Sequence, residues 1–171
     1  MGAQEEVGKI NSHEELPHYI VVTYKMRLFI FGLLISITSL LCPNLKSSGA
    51  SVSLRPPGWV FGIVWPILYI TTGLAWSRSK LDTEFILLTS LMCLWLITYS
   101  CRNDKTMGRN VLILSTLFSY YMTYTLYGTK AFPLFAPLTL WLTFATYLNY
   151  MEVLTISSSP PTPFVPRVTR E

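Results

Sequence analysis

The stretch GWVFGIVWPILYITTGLAWS, residues 58–77, carries no charged side chain. Arg55 and Arg78 bracket it, with 22 uncharged residues between them. A helix needs about 20 predominantly apolar residues to cross the hydrocarbon core of a bilayer. The same interval recurs along the chain. Uncharged runs of 18 residues separate Arg27 from Lys46 and of 17 separate Glu84 from Arg102. Further runs of 20 and 21 residues lie between Arg109 and Lys130 and between Lys130 and Glu152. Soluble helices show a charged face within each few turns, and these runs show none. The spacing therefore predicts an all-α integral membrane protein. Its five transmembrane helices fall at about 24–42, 58–77, 81–101, 110–128 and 132–155.

Composition agrees. Of 171 residues, 51% are apolar and 13% are charged, about half the charge of an ordinary soluble domain at roughly 25%. The net charge of +4 is scattered rather than gathered into a basic stripe, so nucleic acid is not an expected partner. The expected surroundings are membrane lipids. Short links at 78–80 and 128–131 and a polar turn at 102–109 make neighbouring helices antiparallel. The longest internal loop, 43–57 (PNLKSSGASVSLRPP), is read as a lid over the bundle. Residues 1–23 are read as a polar tail and 156–171 as a disordered Pro/Ser tail. Six Lys/Arg on one side of the bundle oppose seven on the other, a split that leaves orientation open.

Several chemistries find no residues. Both histidines, His13 and His18, precede the first span, so no imidazole is available to ligate a metal or act as base within the bundle. Cys42, Cys93 and Cys101 lack C-x-x-C spacing and read as small packing residues. No carboxylate falls mid-span, and Glu152 lies near the end of the fifth helix. Ion-coupled transporters usually carry ionisable groups inside the membrane. No cofactor is expected.

Aromatic residues are what the chain does supply. Trp59 and Trp76, at span ends, suit the interfacial belts. Trp65, Trp95 and Trp141 fall mid-span, where an indole N–H needs a partner or a ligand. They read either as packing or as the lining of a pocket for a flat apolar molecule. On the fifth helix Trp141, Ala145 and Leu148 share one face, and Asn149 needs a hydrogen bond to another helix or to backbone. Pro56 and Pro57 suit a helix entry. Gly62 and Gly73 are read as points of close helix approach, and Pro66 as a kink.

Two of these stretches carry a resemblance. Residues 55–69, RPPGWVFGIVWPILY, resemble the signature of the translocator protein (TspO) family, through Pro56, Pro57, Trp59, Val60, Gly62, Val64, Trp65, Leu68, Tyr69 and Gly73. Residues 137–150, PLTLWLTFATYLNY, are similar to the family's fifth-helix motif, through Pro137, Trp141, Phe144, Ala145, Thr146, Leu148, Asn149 and Tyr150. The resemblance implies a five-helix bundle enclosing a pocket capped by the first loop. It implies ligands such as protoporphyrin IX, sterols and rigid aromatic molecules, held by Phe61, Gly62, Val64, Trp65, Trp95, Trp141, Ala145, Leu148 and Asn149. Some bacterial members degrade porphyrin in light with two tryptophans implicated, and those match Trp65 and Trp141. The chain departs from the family in its third helix, which has one Trp and no Asn, and after Tyr150, where no basic residue follows. The second departure favours porphyrin over sterol.

Three readings follow. The first is a receptor or carrier for porphyrin or a related lipophilic ligand. The second is a membrane scaffold that has lost the pocket. The third is a light-dependent porphyrin oxidase, with Trp65 and Trp141 as electron donors. The resemblance also implies a homodimer, placed in the mitochondrial outer membrane of an animal host or in the envelope or another membrane elsewhere.

Overall fold

Hydrocarbon offers backbone groups no hydrogen bonds, so a spanning chain closes its own bonds by forming helices. The computed structural model describes residues 18–41 and 52–158, and these fold into five α-helices. They are α1 (His18–Leu41), α2 (Gly58–Ser77), α3 (Asp82–Leu96), α4 (Lys105–Thr125) and α5 (Phe132–Ser158). A π-helical turn, Ile97–Cys101, extends α3. Two helical stretches, Gly58–Ser77 and Asp82–Cys101, are long and apolar enough to span a membrane by hydropathy alone, and α1 adds a shorter apolar run, Phe29–Leu41. With 21 and 27 residues, α4 and α5 have the length. Their Ser, Thr and Tyr lower the hydropathy without adding charge.

Three boundaries differ from expectation. The first helix begins at His18, so residues 18–23 are helical rather than tail. The fifth runs through Ser158, taking in residues read as a disordered tail. The fourth spans Lys105–Thr125 rather than 110–128, because Asp104 caps it: its carboxylate accepts the Met107 N–H at 2.8 Å. An Asp at this position serves one of the orphan donors of the first turn. At the other end of α4 the chain turns through Gly128 at φ 78°. The remaining tails, residue 42 and residues 43–51 of the expected lid lie outside the described residues.

The helices close into a ring in the order α1, α2, α5, α4, α3, with α3 returning to α1. Each presents apolar residues outward. Ile63, Ile67 and Ile70 form one exposed face of α2, and Leu140, Tyr147 and Leu154 one of α5. A surface this apolar suits lipid. Inside, Phe85 is fully buried, stacked on Trp76 at 5.5 Å and meeting Phe135 edge-on at 5.5 Å. Trp76 is therefore a core residue, 5% exposed, rather than part of a lipid-facing belt. Its indole N–H donates to Asp82 at 2.7 Å, and Arg27 pairs with the same carboxylate at 2.6 Å. Trp59, 68% exposed, does face outward.

The α4–α5 seam is polar. Thr116 meets Thr146 at 2.7 Å, Thr123 meets Thr139 at 2.7 Å, and Tyr120 meets Thr143 at 2.9 Å. Thr116, Thr123 and Thr143 each also bond the carbonyl four residues back. A hydroxyl has one proton and two lone pairs. Spending the proton on its own helix leaves it free to accept across the seam.

Cys101 is disulfide-bonded, and Cys93 is a free thiol. This corrects the reading of every cysteine as mere packing: local spacing detects metal and redox motifs, not a bond set by the fold. Gly62 is corrected too. A Cβ there would meet nothing within 4 Å, so it is not a point of helix contact. The close approaches are at Gly32, against Tyr69, and at Gly108. At Gly108 a Cβ would stand 2.8 Å from Tyr99 Cβ and 3.1 Å from its Cα. Backbone cannot swing aside, so Gly108→Ala is expected to destabilise by roughly 1–3 kcal/mol. Gly62→Ala should gain up to about 1 kcal/mol from helix propensity. Thermal unfolding of both variants in one detergent checks the contrast.

Candidate functional site

One cavity of about 600 Å³ opens within the ring. That size holds a drug-sized ligand. Its walls come from α1, α2, α3 with its π turn, and α5, while α4 stands behind. Because neighbouring helices alternate in direction, the ends of α1, α3 and α5 and the start of α2 lie on one side. The cavity opens toward that side, under residues Val52 and Arg55 of the first loop.

The floor is aromatic. Trp65 and Trp141 meet edge-to-face with centroids 6.3 Å apart. Trp65 also lies against Tyr69, and Trp141 against Phe61, each at 5.6 Å. Edge contacts suit the ring quadrupoles and hold indoles in fixed orientations. The Trp141 Nε1 atom is buried with no hydrogen-bond partner among the described residues. Pro66 stands in mid-helix and has no N–H, so the Gly62 carbonyl loses its usual donor four residues on. The helix nevertheless continues through Pro66 without a break.

On the α5 wall, Ala145, Leu148 and Asn149 follow Trp141 around one face. Asn149 ties this wall to α3. Its Oδ1 accepts the Trp95 indole N–H at 3.3 Å, and its Nδ2 donates to the Ala145 carbonyl at 3.3 Å. Eight of the nine residues expected at the site thus border the cavity. Val64 is the exception: it packs into the hydrophobic core instead. On α2 the cavity-facing residues recur as Phe61, Trp65 and Tyr69, and Val64 falls off that stripe.

The mouth is charged, which the sequence reading missed. Glu152, one turn beyond Leu148, is 5% exposed and borders the cavity. Tyr99, on the π turn, donates its hydroxyl to Glu152 Oε2. In the π turn the Arg102 N–H reaches back five residues to the Ile97 carbonyl, at 2.9 Å. Such a turn carries an extra residue and is often found at functional sites. Lys105 sits 3.7 Å over the Tyr99 ring and donates to the Tyr99 carbonyl at 3.0 Å. Arg55 lies over the Phe61 ring at 5.6 Å. The signal for this cluster was the position of Glu152, four residues after Leu148 and three after Asn149, which continues the face begun at Trp141 and Ala145.

Glu152 is expected to depend on its tyrosine. Tyr99→Phe should destabilise the protein by roughly 1–3 kcal/mol, because a buried acceptor loses its donor. Adding Glu152→Leu should recover most of that loss. A double-mutant cycle followed by thermal unfolding measures the coupling.

The family model described as the TspO/MBR family matches residues 28–154. The tryptophan-rich protein TspO of Archaeoglobus fulgidus is 27% identical over 105 residues, covering 56% of this chain and 69% of that protein.

Proposed function

The chain belongs to the TspO/MBR family of membrane proteins, and we propose that it is a receptor or carrier for protoporphyrin IX or a related rigid, lipophilic ligand. The observation that carries this reading is the aromatic-floored cavity itself. Flat apolar ligands stack on fixed indoles and gain burial from both faces. The Trp141 Nε1 atom supports it further. A buried N–H without an acceptor costs about 1–3 kcal/mol, and a ligand acceptor at the floor relieves that cost. An intact cavity also favours a binding protein over a scaffold that has lost its pocket. Phe61, Gly62, Trp65, Trp95, Trp141, Ala145, Leu148 and Asn149 are the residues we assign to the ligand.

Titrating the detergent-solubilised protein with protoporphyrin IX in the dark should quench tryptophan fluorescence saturably. Ala145→Phe, which fills the cavity from α5, should weaken binding at least about tenfold, the equivalent of 1.4 kcal/mol. Folded protein that shows no saturable quenching would refute the reading.

The edge-to-face contact of Trp65 and Trp141 favours a second activity. In this reading the two indoles serve as electron donors to a bound, excited porphyrin, with oxygen as co-reactant. Under illumination in air, porphyrin absorbance should fall. The loss per bound porphyrin should slow several-fold in Trp141→Phe. Equal rates in the two proteins would remove Trp141 from that role.

A further inference from the structure

The charged mouth of the cavity carries information that the aromatic floor does not. Three ionisable side chains lie at or behind it: Arg55 before α2 and Glu152 toward the end of α5 border the cavity, and Lys105 at the start of α4 covers Tyr99. Two of them are already served. Glu152 accepts the Tyr99 hydroxyl and lies within electrostatic reach of Lys105. Lys105 donates to the Tyr99 carbonyl and covers its ring. Arg55 is different. It borders the cavity, is half-buried, and rests on the Phe61 ring. Among the described residues it forms no ion pair; the salt bridge found there joins Arg27 to Asp82. A guanidinium is weakly hydrated, tolerates an aromatic face and presents a planar fork that fits a carboxylate.

We propose that the cavity selects amphiphiles that end in a carboxylate, with Arg55 holding the acid at the mouth while the apolar body lies on Trp65 and Trp141. This inference rests on the binding function proposed above and adds what the ligand must carry. Glu152, the other charged residue of the lining, already accepts the Tyr99 hydroxyl. It is not the anchor, because an amine-bearing ligand would have to compete with the Tyr99 hydroxyl for it.

The test compares one apolar body with and without its acid. Protoporphyrin IX and its dimethyl ester are titrated in the dark into the same detergent-solubilised protein. The acid should bind about tenfold or more tightly than the ester, as expected for a charge-assisted hydrogen-bonded pair. In Arg55→Gln, checked for folding by circular dichroism and a monodisperse elution profile, the acid-to-ester ratio should fall to about one. Arg55→Lys, which keeps the charge and loses the fork, should retain part of the preference. Equal binding of acid and ester to the unaltered protein overturns the proposal, as does an unchanged ratio in Arg55→Gln or tighter binding of the ester. Failure of both compounds to bind would instead strike the underlying receptor reading and take this inference with it.

Discussion

Every polar group placed in hydrocarbon must find its partner within the protein, and most of this structure can be traced to that requirement. Backbone groups are closed within helices. Side-chain hydroxyls bond the carbonyl one turn back, as Thr89, Ser90, Ser115 and Thr143 do. Where two such helices meet, the spare lone pairs of those hydroxyls accept from the facing helix. The Trp76 indole is satisfied by Asp82, the Trp95 indole by Asn149, and the Asp82 carboxylate by Arg27. Each of these links joins elements distant in sequence or turns a corner between them. Packing supplies the remaining cohesion, with Gly32 and Gly108 letting α1 and α4 come within contact of Tyr69 and Tyr99.

Apart from the Thr72 and Ser100 hydroxyls, the cavity is where that accounting is left open among the described residues. Among the described residues the Trp141 Nε1 atom has no hydrogen-bond partner and the Arg55 guanidinium no ion pair, and Pro66 deprives the Gly62 carbonyl of its usual donor. They are graded by depth, from a neutral indole at the floor to a cation at the mouth. The surrounding rings are held edge-on to one another, so the floor keeps its shape without a ligand. Such preorganisation reduces the ordering cost of binding.

Much of this was legible in the sequence. The uncharged intervals gave five helices, since charge is the costliest thing to place in lipid. The two motif stretches pointed to seven residues that border the cavity, because residues four and three apart on a helix share a face, and the mid-span position of Trp95 pointed to an eighth. Val64 stands off the cavity-facing stripe of Phe61, Trp65 and Tyr69 and packs against the core, a difference of helical phase that a motif read as a block does not show. The start of α4 was misjudged because a run of polar residues looks like a loop until Asp104 is recognised as a cap. Trp76 was assigned to the lipid interface from its neighbours Arg78 and Lys80, but its position is decided by Asp82, which lies across a turn. Glu152 was read only as lying near a helix end. Its burial depends on Tyr99, and the π turn that presents Tyr99 has no signature in residue type. The bond at Cys101 was invisible for the same reason, since tertiary proximity makes it.

The hydroxyl seam between α4 and α5 bears on how the chain enters its membrane. Taken singly, α4 offers a translocation machinery a weak case, because its threonines and tyrosines make it less greasy than α2 or α3. Joined to α5 by the short stretch through Gly128, it can hide those hydroxyls against its neighbour. The pair is then far more oil-soluble than either part. Such a segment is best handed to the bilayer as a preformed hairpin, released after residue 158 has been made. The last two spans would thus be born together, and the ring would close around the cavity only when that hairpin docks on α2 and α3.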